Sequence, residues 1–269
     1  LLLIYFYLFT DTFAAGGDWT YTGQHGPTHW GSLFRTCAGS SQSPINIETG
    51  NVKPEYWKPF VFKNYDDPPT RMRVKNNGHS AQVEMDARAA PRVLNGGLKG
   101  EYIFAQFPME LHLVHYKGAY GSLAQAINRQ DGLAVLGVML EVSKTDNPAL
   151  TPLATALRNI TDSGMYAQVH ANYPLKAFLP NNLEKFYRYQ GSLTTPTCNE
   201  VVTWTVFANA IPISEAQLTQ FRELHEDPVH YLVNNYRPLQ PRETREIYAN
   251  HRYLPRRVIA CTNQTHHLF

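Results

Sequence analysis

Tyr102-Ile103-Phe104-Ala105-Gln106-Phe107-Pro108-Met109-Glu110-Leu111-His112-Leu113-Val114-His115-Tyr116 is the stretch on which the fold turns. Residues 102–107 and 111–116 are apolar, with the β-branched and aromatic side chains that strands favour, so both read as strands. His112 and His115 are three apart. On a strand an odd separation puts them on opposite faces, so this segment cannot offer both to one metal ion. From spacing alone each reads as a hydrogen-bonded core histidine. Glu110 and His112 are two apart and share a face, where a carboxylate can orient an imidazole.

The neighbouring segments carry the same signal. Residues 133–142, LAVLGVMLEV, form a continuous apolar run, as expected of a strand buried on both faces. Residues 201–207, VVTWTVF, form another strand. In residues 71–84 two short β runs flank the turn pair Asn77-Gly78. His79 follows that turn. An exposed turn histidine is the ordinary reading, and proton transfer near neutral pH is the functional one. Ser43-Pro44-Ile45-Asn46-Ile47 alternates like the start of a strand. Residues 18–43, rich in Gly, Trp, Tyr and His, read as an irregular wrapped arm. Helical signals are few: residues 152–160, and residues 214–224, where Ser214 and Gln217 form a capping box. The sum is one large, mainly β (α+β) domain.

Composition narrows the function classes. Across 269 residues, 24 Lys and Arg stand against 22 Asp and Glu, a net charge of +2, and no basic run occurs. That excludes nucleic-acid binding driven by phosphate neutralisation. A chain 43% hydrophobic and 17% charged is not disordered. Eleven histidines invite a metal search. No His-Glu-x-x-His helix, thiolate zinc spacing, phosphate loop or Gly-x-Ser-x-Gly elbow is present. The hydroxyls of residues 192–196 read as a capped turn.

The ends suggest a compartment. Residues 1–9, LLLIYFYLF, are too short to span a bilayer and precede Ala14-Ala15-Gly16-Gly17. We read residues 1–17 as part of a secretory signal, 18–262 as the domain and 263–269 as a tail too short for a lipid-anchor signal. No membrane span is expected in the mature chain. Of Cys37, Cys198 and Cys261, one pair can bridge in an oxidising compartment, leaving one over. The sequons at Asn159 and Asn263 fit the same compartment, so secretion is the favoured localisation.

Seven pieces, in order, resemble the alpha-carbonic anhydrases: Gly26-Pro27-x-x-Trp30, residues 42–47, Asn76-Asn77-Gly78-His79, residues 109–115, residues 131–137, Tyr189-x-Gly191 through Pro196, and Asn235-Tyr236-Arg237-Pro238. The resemblance implies a large, mostly antiparallel central sheet with peripheral helices. It implies a three-histidine zinc site whose bound water, with a pKa lowered to about 7, attacks carbon dioxide to give bicarbonate. His112 matches the third zinc ligand and Glu110 a carboxylate behind the ligands. His79 matches the proton shuttle. Thr194 matches the hydroxyl that orients the zinc-bound hydroxide, with Thr195 beside it. Val114, Val135 and Leu193 match the apolar wall for carbon dioxide. Tyr21, Asn77 and Gln106 match polar groups of the cleft, Gln106 as a partner of a ligand. Cys37 and Cys198 match the disulfide of secreted members, and Cys261 has no counterpart.

The resemblance breaks at one point. After Gln106-Phe107 the family continues His-Phe-His-Trp-Gly, then a loop and the returning strand. Here Phe107 meets Pro108-Met109-Glu110 directly. Two of three zinc ligands, and the glutamate that holds the threonine, fall in the missing part. With no turn left between the two strands, we expect that one is lost, or that residues 102–116 run as one extended piece through Pro108. Three readings follow: a secreted carbonic anhydrase whose sequence lacks a segment through gene-model or splicing error; a catalytically dead relative acting as a binding or extracellular-matrix protein; or a poorly folded chain. The first is preferred, and zinc binding and hydration by the chain as written are expected to be lost or severely impaired.

Overall fold

The structure is a computed structural model, and it describes residues 19–106, 110–170 and 173–250. Its first strands are β1 (Lys53–Glu55), β2 (Val61–Lys63), β3 (Arg71–Asn76), β4 (Ala81–Asp86) and β5 (Arg92–Leu94). Next come β6 (Tyr102–Gln106), β7 (Leu111–Lys117), β8 (Leu133–Val138), β9 (Leu140–Ser143) and β10 (Tyr166–Gln168). β11 (Phe186–Gly191), β12 (Val202–Phe207), β13 (Ile211–Ser214), β14 (His225–Asp227), β15 (His230–Tyr231) and β16 (Tyr248–Asn250) complete the set. Four short helices accompany them: α1 (Trp30–Leu33), α2 (Leu123–Ala126), α3 (Thr151–Leu157) and α4 (Glu215–Arg222).

Nine strands form the main sheet in the order β1-β16-β11-β12-β8-β7-β6-β5-β2. Two of its pairings, β1 with β16 and β12 with β8, are parallel and the rest are antiparallel. The sheet curls, because Phe60, beside the edge strand β2, packs 5.0 Å from Phe186 of β11. The mainly β, mostly antiparallel architecture expected from the sequence is therefore the one observed.

β8 sits at the centre, and all six of its residues are buried. Two cores lie against it. Leu111, Leu113, Leu136, Val138, Phe186 and Phe207 point to one face, covered by α3, α4 and the β3–β4 hairpin. Leu133, Val135, Tyr189, Val202 and Trp204 point to the other. Each such large side chain contributes about 1.5–3 kcal/mol when fully buried. His112 and His115 follow the strand period onto opposite faces.

Three expectations are corrected. Neither is a strand lost at residues 102–116 nor does the chain run straight through. β6 and β7 pair antiparallel from Tyr102–Lys117 to Gln106–Val114, with a register shift between Phe104 and Gln106. β6 is described as far as Gln106, and residues 107–109 lie outside the described residues. The run 133–142 is two strands, because after Met139 the chain leaves the main sheet to pair with β13. Residues 43–47 form no strand, since Ser43 is bonded to a loop instead. The capping box over Ser214 and Gln217 and the hairpin at Asn77-Gly78 form as read.

Candidate functional site

The site lies on the β7 face that carries His112. In register, Val114 faces Val135, which faces Trp204, which faces Tyr189. One step along, His112 faces Gly137, which faces Val206. Side chains in such rows share a face of the sheet. The His112 ring meets the Trp204 indole edge-on, with centroids 4.7 Å apart. Its Nε2 lies 3.3 Å from Glu110 Oε1. The imidazole is 3% exposed, so this carboxylate is a significant part of its polar surroundings. Leu193 packs into the same cluster as Val114 and Val135, which brings the three wall residues together.

The loop after β11 supplies Leu193, Thr194 and Thr195. Ser192 anchors its start. Its backbone carbonyl accepts from Trp204 Nε1 at 3.0 Å, and it exchanges two hydrogen bonds with Ser43. Cys198 N donates to Thr195 O at 2.7 Å and closes the turn. Cys198 is disulfide-bonded to Cys37, with Cα atoms 4.9 Å apart. Arg237 donates to Gln42 Oε1, Ser43 O and Cys37 O within the N-terminal arm, and Gln42 Nε2 donates to Cys198 O at 3.3 Å, which ties the arm to this loop. Thr194 is 4% exposed, and its Oγ1 has no hydrogen-bond partner among the described residues. A buried hydroxyl in that state is unusual and calls for an explanation.

His79 occupies the turn between β3 and β4, where Gly78 adopts φ +83°. Asn77 Oδ1 accepts from His79 N, and Asn235 Nδ2 donates to His79 O, both at 3.0 Å. The ring is half-buried instead of exposed, because it stacks 3.9 Å from Trp19. Tyr21, 8% exposed, lies edge-on to His79 with centroids 6.5 Å apart. Asn77 Nδ2 reaches Gln82 Oε1 at 3.4 Å.

His115 is a core residue, as its spacing implied. Its Nδ1 lies 3.2 Å from Ala134 O, an oxygen that can only accept, so the proton is on Nδ1 and Nε2 accepts from Tyr65 OH. Burial lowers its pKa to about 3 and pushes the Tyr65 hydroxyl well above its usual value.

Asn159 is exposed just beyond α3. Gln106 is placed by its backbone alone, opposite Val114. Asn263, Cys261 and residues 1–17 lie outside the described residues. Trp19, Tyr65, Trp204 and Gly137 were not singled out in the sequence. For Gly137 a signal existed, a glycine within an otherwise continuous buried strand.

A histidine backed by a carboxylate, an apolar wall on the same sheet face and a buried threonine in a cross-tied loop define a carbonic-anhydrase-type scaffold. The sequence profile of the eukaryotic-type carbonic anhydrase family matches residues 25–108 and 103–251. The chain belongs to that family. It is 34% identical to carbonic anhydrase 15 of Mus musculus over 275 residues, covering 88% of this chain and 84% of the relative. It is 33% identical to carbonic anhydrase 1 of Mus musculus over 263 residues, covering 88% and 99%.

Members of this family generally depend on zinc. Among the described residues, no three His, Cys, Asp or Glu side chains gather where they could hold a metal ion. The described donors do not fit a three-histidine zinc site. Likewise, no helix among them is long and apolar enough to cross a membrane.

Proposed function

We propose that this chain is a secreted alpha-carbonic anhydrase, of the family that interconverts carbon dioxide and bicarbonate. We further propose that the chain as written is inactive or severely impaired, because the segment bearing two of the three zinc-ligand histidines is missing after Phe107. One observation supports this reading. The family match is split in two, and residues 103–108 fall in both parts, as they would if a family segment were missing at that point. The 275 residues aligned with carbonic anhydrase 15 also exceed this chain's own 269, which supports the same gap. Thr194 Oγ1 without a partner fits it too, since the glutamate expected to hold that hydroxyl falls in the missing segment.

What remains has definite roles in this reading. Val114, Val135 and Leu193 form a wall that would seat carbon dioxide. Thr194, with Thr195 beside it, presents a hydroxyl. His79 would move protons between the cleft and solvent, with Tyr21 and Asn77 near it. His112 would be a ligand oriented by Glu110, and Gln106 a partner of a lost one. Losing residues behind metal ligands commonly costs 10–100-fold in affinity or activity, and losing two ligands must cost more. Secretion is supported by the disulfide, which fits an oxidising compartment, and by the exposure of Asn159 for a glycan. The second reading, a non-catalytic binding or extracellular-matrix protein, is favoured by the separation of the described metal-binding side chains.

The test is zinc content and carbon dioxide hydration of the purified full chain. The expected result is far less than one zinc per chain and hydration at the buffer rate. One zinc per chain with hydration clearly above buffer overturns it. Peptide mapping of the natural protein separates the two readings. A peptide crossing Phe107-Pro108 supports the non-catalytic protein, and one with His-x-His after Gln106 sinks it.

A further inference from the structure

We propose that Gly137 is a positioning residue for His112 and acts through Glu110. Gly137 stands directly across the strand pair from His112. A Cβ placed on it would lie 2.9 Å from Glu110 Oε1, closer than real Cβ contacts. Its next neighbours would be Thr205 O at 3.7 Å and Val206 Cγ2 at 3.8 Å, both ordinary contacts. The space where a side chain would stand is therefore the seat of the Glu110 carboxylate. From that seat Oε1 stands 3.3 Å from Nε2 of His112, close enough for an electrostatic contact but without hydrogen-bond geometry. A negative carboxylate facing Nε2 favours a hydrogen over a lone pair on that nitrogen. A glycine inside a fully buried strand is a cost to the sheet, and here the cost has a cause. The inference concerns the ring itself and holds whether or not the chain hydrates carbon dioxide.

Long-range proton–nitrogen NMR of the full chain tests it. In the unaltered protein the buried His112 Nε2–H is expected to give a signal slow to exchange with solvent. Gly137→Ala is expected to abolish that signal, and Glu110→Gln to move it upfield. The His115 Nδ1–H signal is the control. It bonds to Ala134 O on the opposite face of the same strand and should not move. In the Glu110→Gln background, Gly137→Ala should add little, because the two act on one contact. If Gly137→Ala leaves the His112 signal in place, or moves both histidines equally, the proposal fails. If Gly137→Ala does not fold, Gly137→Ala with Glu110→Ala decides. Emptying the seat should restore folding, and failure to restore it shows that the glycine is needed for another reason.

Discussion

Ser43 and Ser192 bridge the N-terminal arm and the threonine loop reciprocally. Ser43 N donates to Ser192 Oγ at 2.9 Å, and Ser192 N donates to Ser43 Oγ at 3.0 Å. Both residues are fully buried, and Tyr189 OH also donates to Ser43 Oγ, at 3.2 Å. Ser43→Ala leaves two buried donors without their acceptor. Each such orphan costs about 1–3 kcal/mol. Urea unfolding should show a loss of about 2–6 kcal/mol. A loss below 0.5 kcal/mol, on the order of an ordinary surface change, would mean that the bridge does not hold the loop.

The disulfide acts on the same junction from the other side. Cys37 and Cys198 are 161 residues apart in sequence, so the bond restricts a long loop of the unfolded chain. Loops of this order are stabilised by roughly 4–5 kcal/mol in the chain-entropy account, with typical measured values of 2–4. Cys37→Ser with Cys198→Ser should lower the unfolding free energy by a few kcal/mol. Non-reducing mass mapping should link Cys37 to Cys198, and finding Cys261 in that bridge would contradict the structure.

Acid should destabilise the protein through His115. Its pKa in the fold is about 3 because burial opposes the charged ring, and its unfolded value is near 6.5. Between those values the unfolded chain holds a proton that the folded chain lacks. Stability from this group is therefore complete above about pH 6.5 and is lost as pH falls toward 3, by up to roughly 1.4 kcal/mol per pH unit. His115→Gln should lower stability at pH 8, since Tyr65 loses its partner, yet flatten the pH 4–6 slope by about one proton. An unchanged slope, read from urea unfolding across that range, would mean that His115 is not the acid-sensitive group.

Local signals were legible in the sequence and distant ones were not. The Ser214 capping box, the Asn77-Gly78 hairpin and the apolar run of β8 each depend on neighbours a few residues away. The opposite faces of His112 and His115 followed from strand period alone. Three misreadings arose from partners far along the chain. Ser43 is held by Ser192 and Pro44 O accepts from Gln240 N, so residues 43–47 never join a sheet. Ile211 N bonds to Met139 O where the apolar run divides. His79 is half-buried because Trp19, sixty residues earlier, covers it. His112, Thr194 and the residues Val114, Val135 and Leu193 were singled out through family resemblance alone, whereas the antiparallel pairing of β6 with β7 was not read, because no local motif encodes it.

Thr194 gives the sharpest separation between a working and a broken site. Its hydroxyl is buried, and among the described residues nothing bonds to Oγ1. An unsatisfied buried polar group costs about 1–3 kcal/mol, and an apolar group of the same shape avoids that cost. Valine matches threonine in shape. Thr194→Val should therefore leave this chain equally stable or raise it by about 1 kcal/mol, measured by urea unfolding. In a site where the hydroxyl is held by an acceptor, the same change would cost about 0.5–1.5 kcal/mol or more. A clear loss of stability in Thr194→Val would show that Oγ1 has a partner after all, and would remove one support for the missing glutamate.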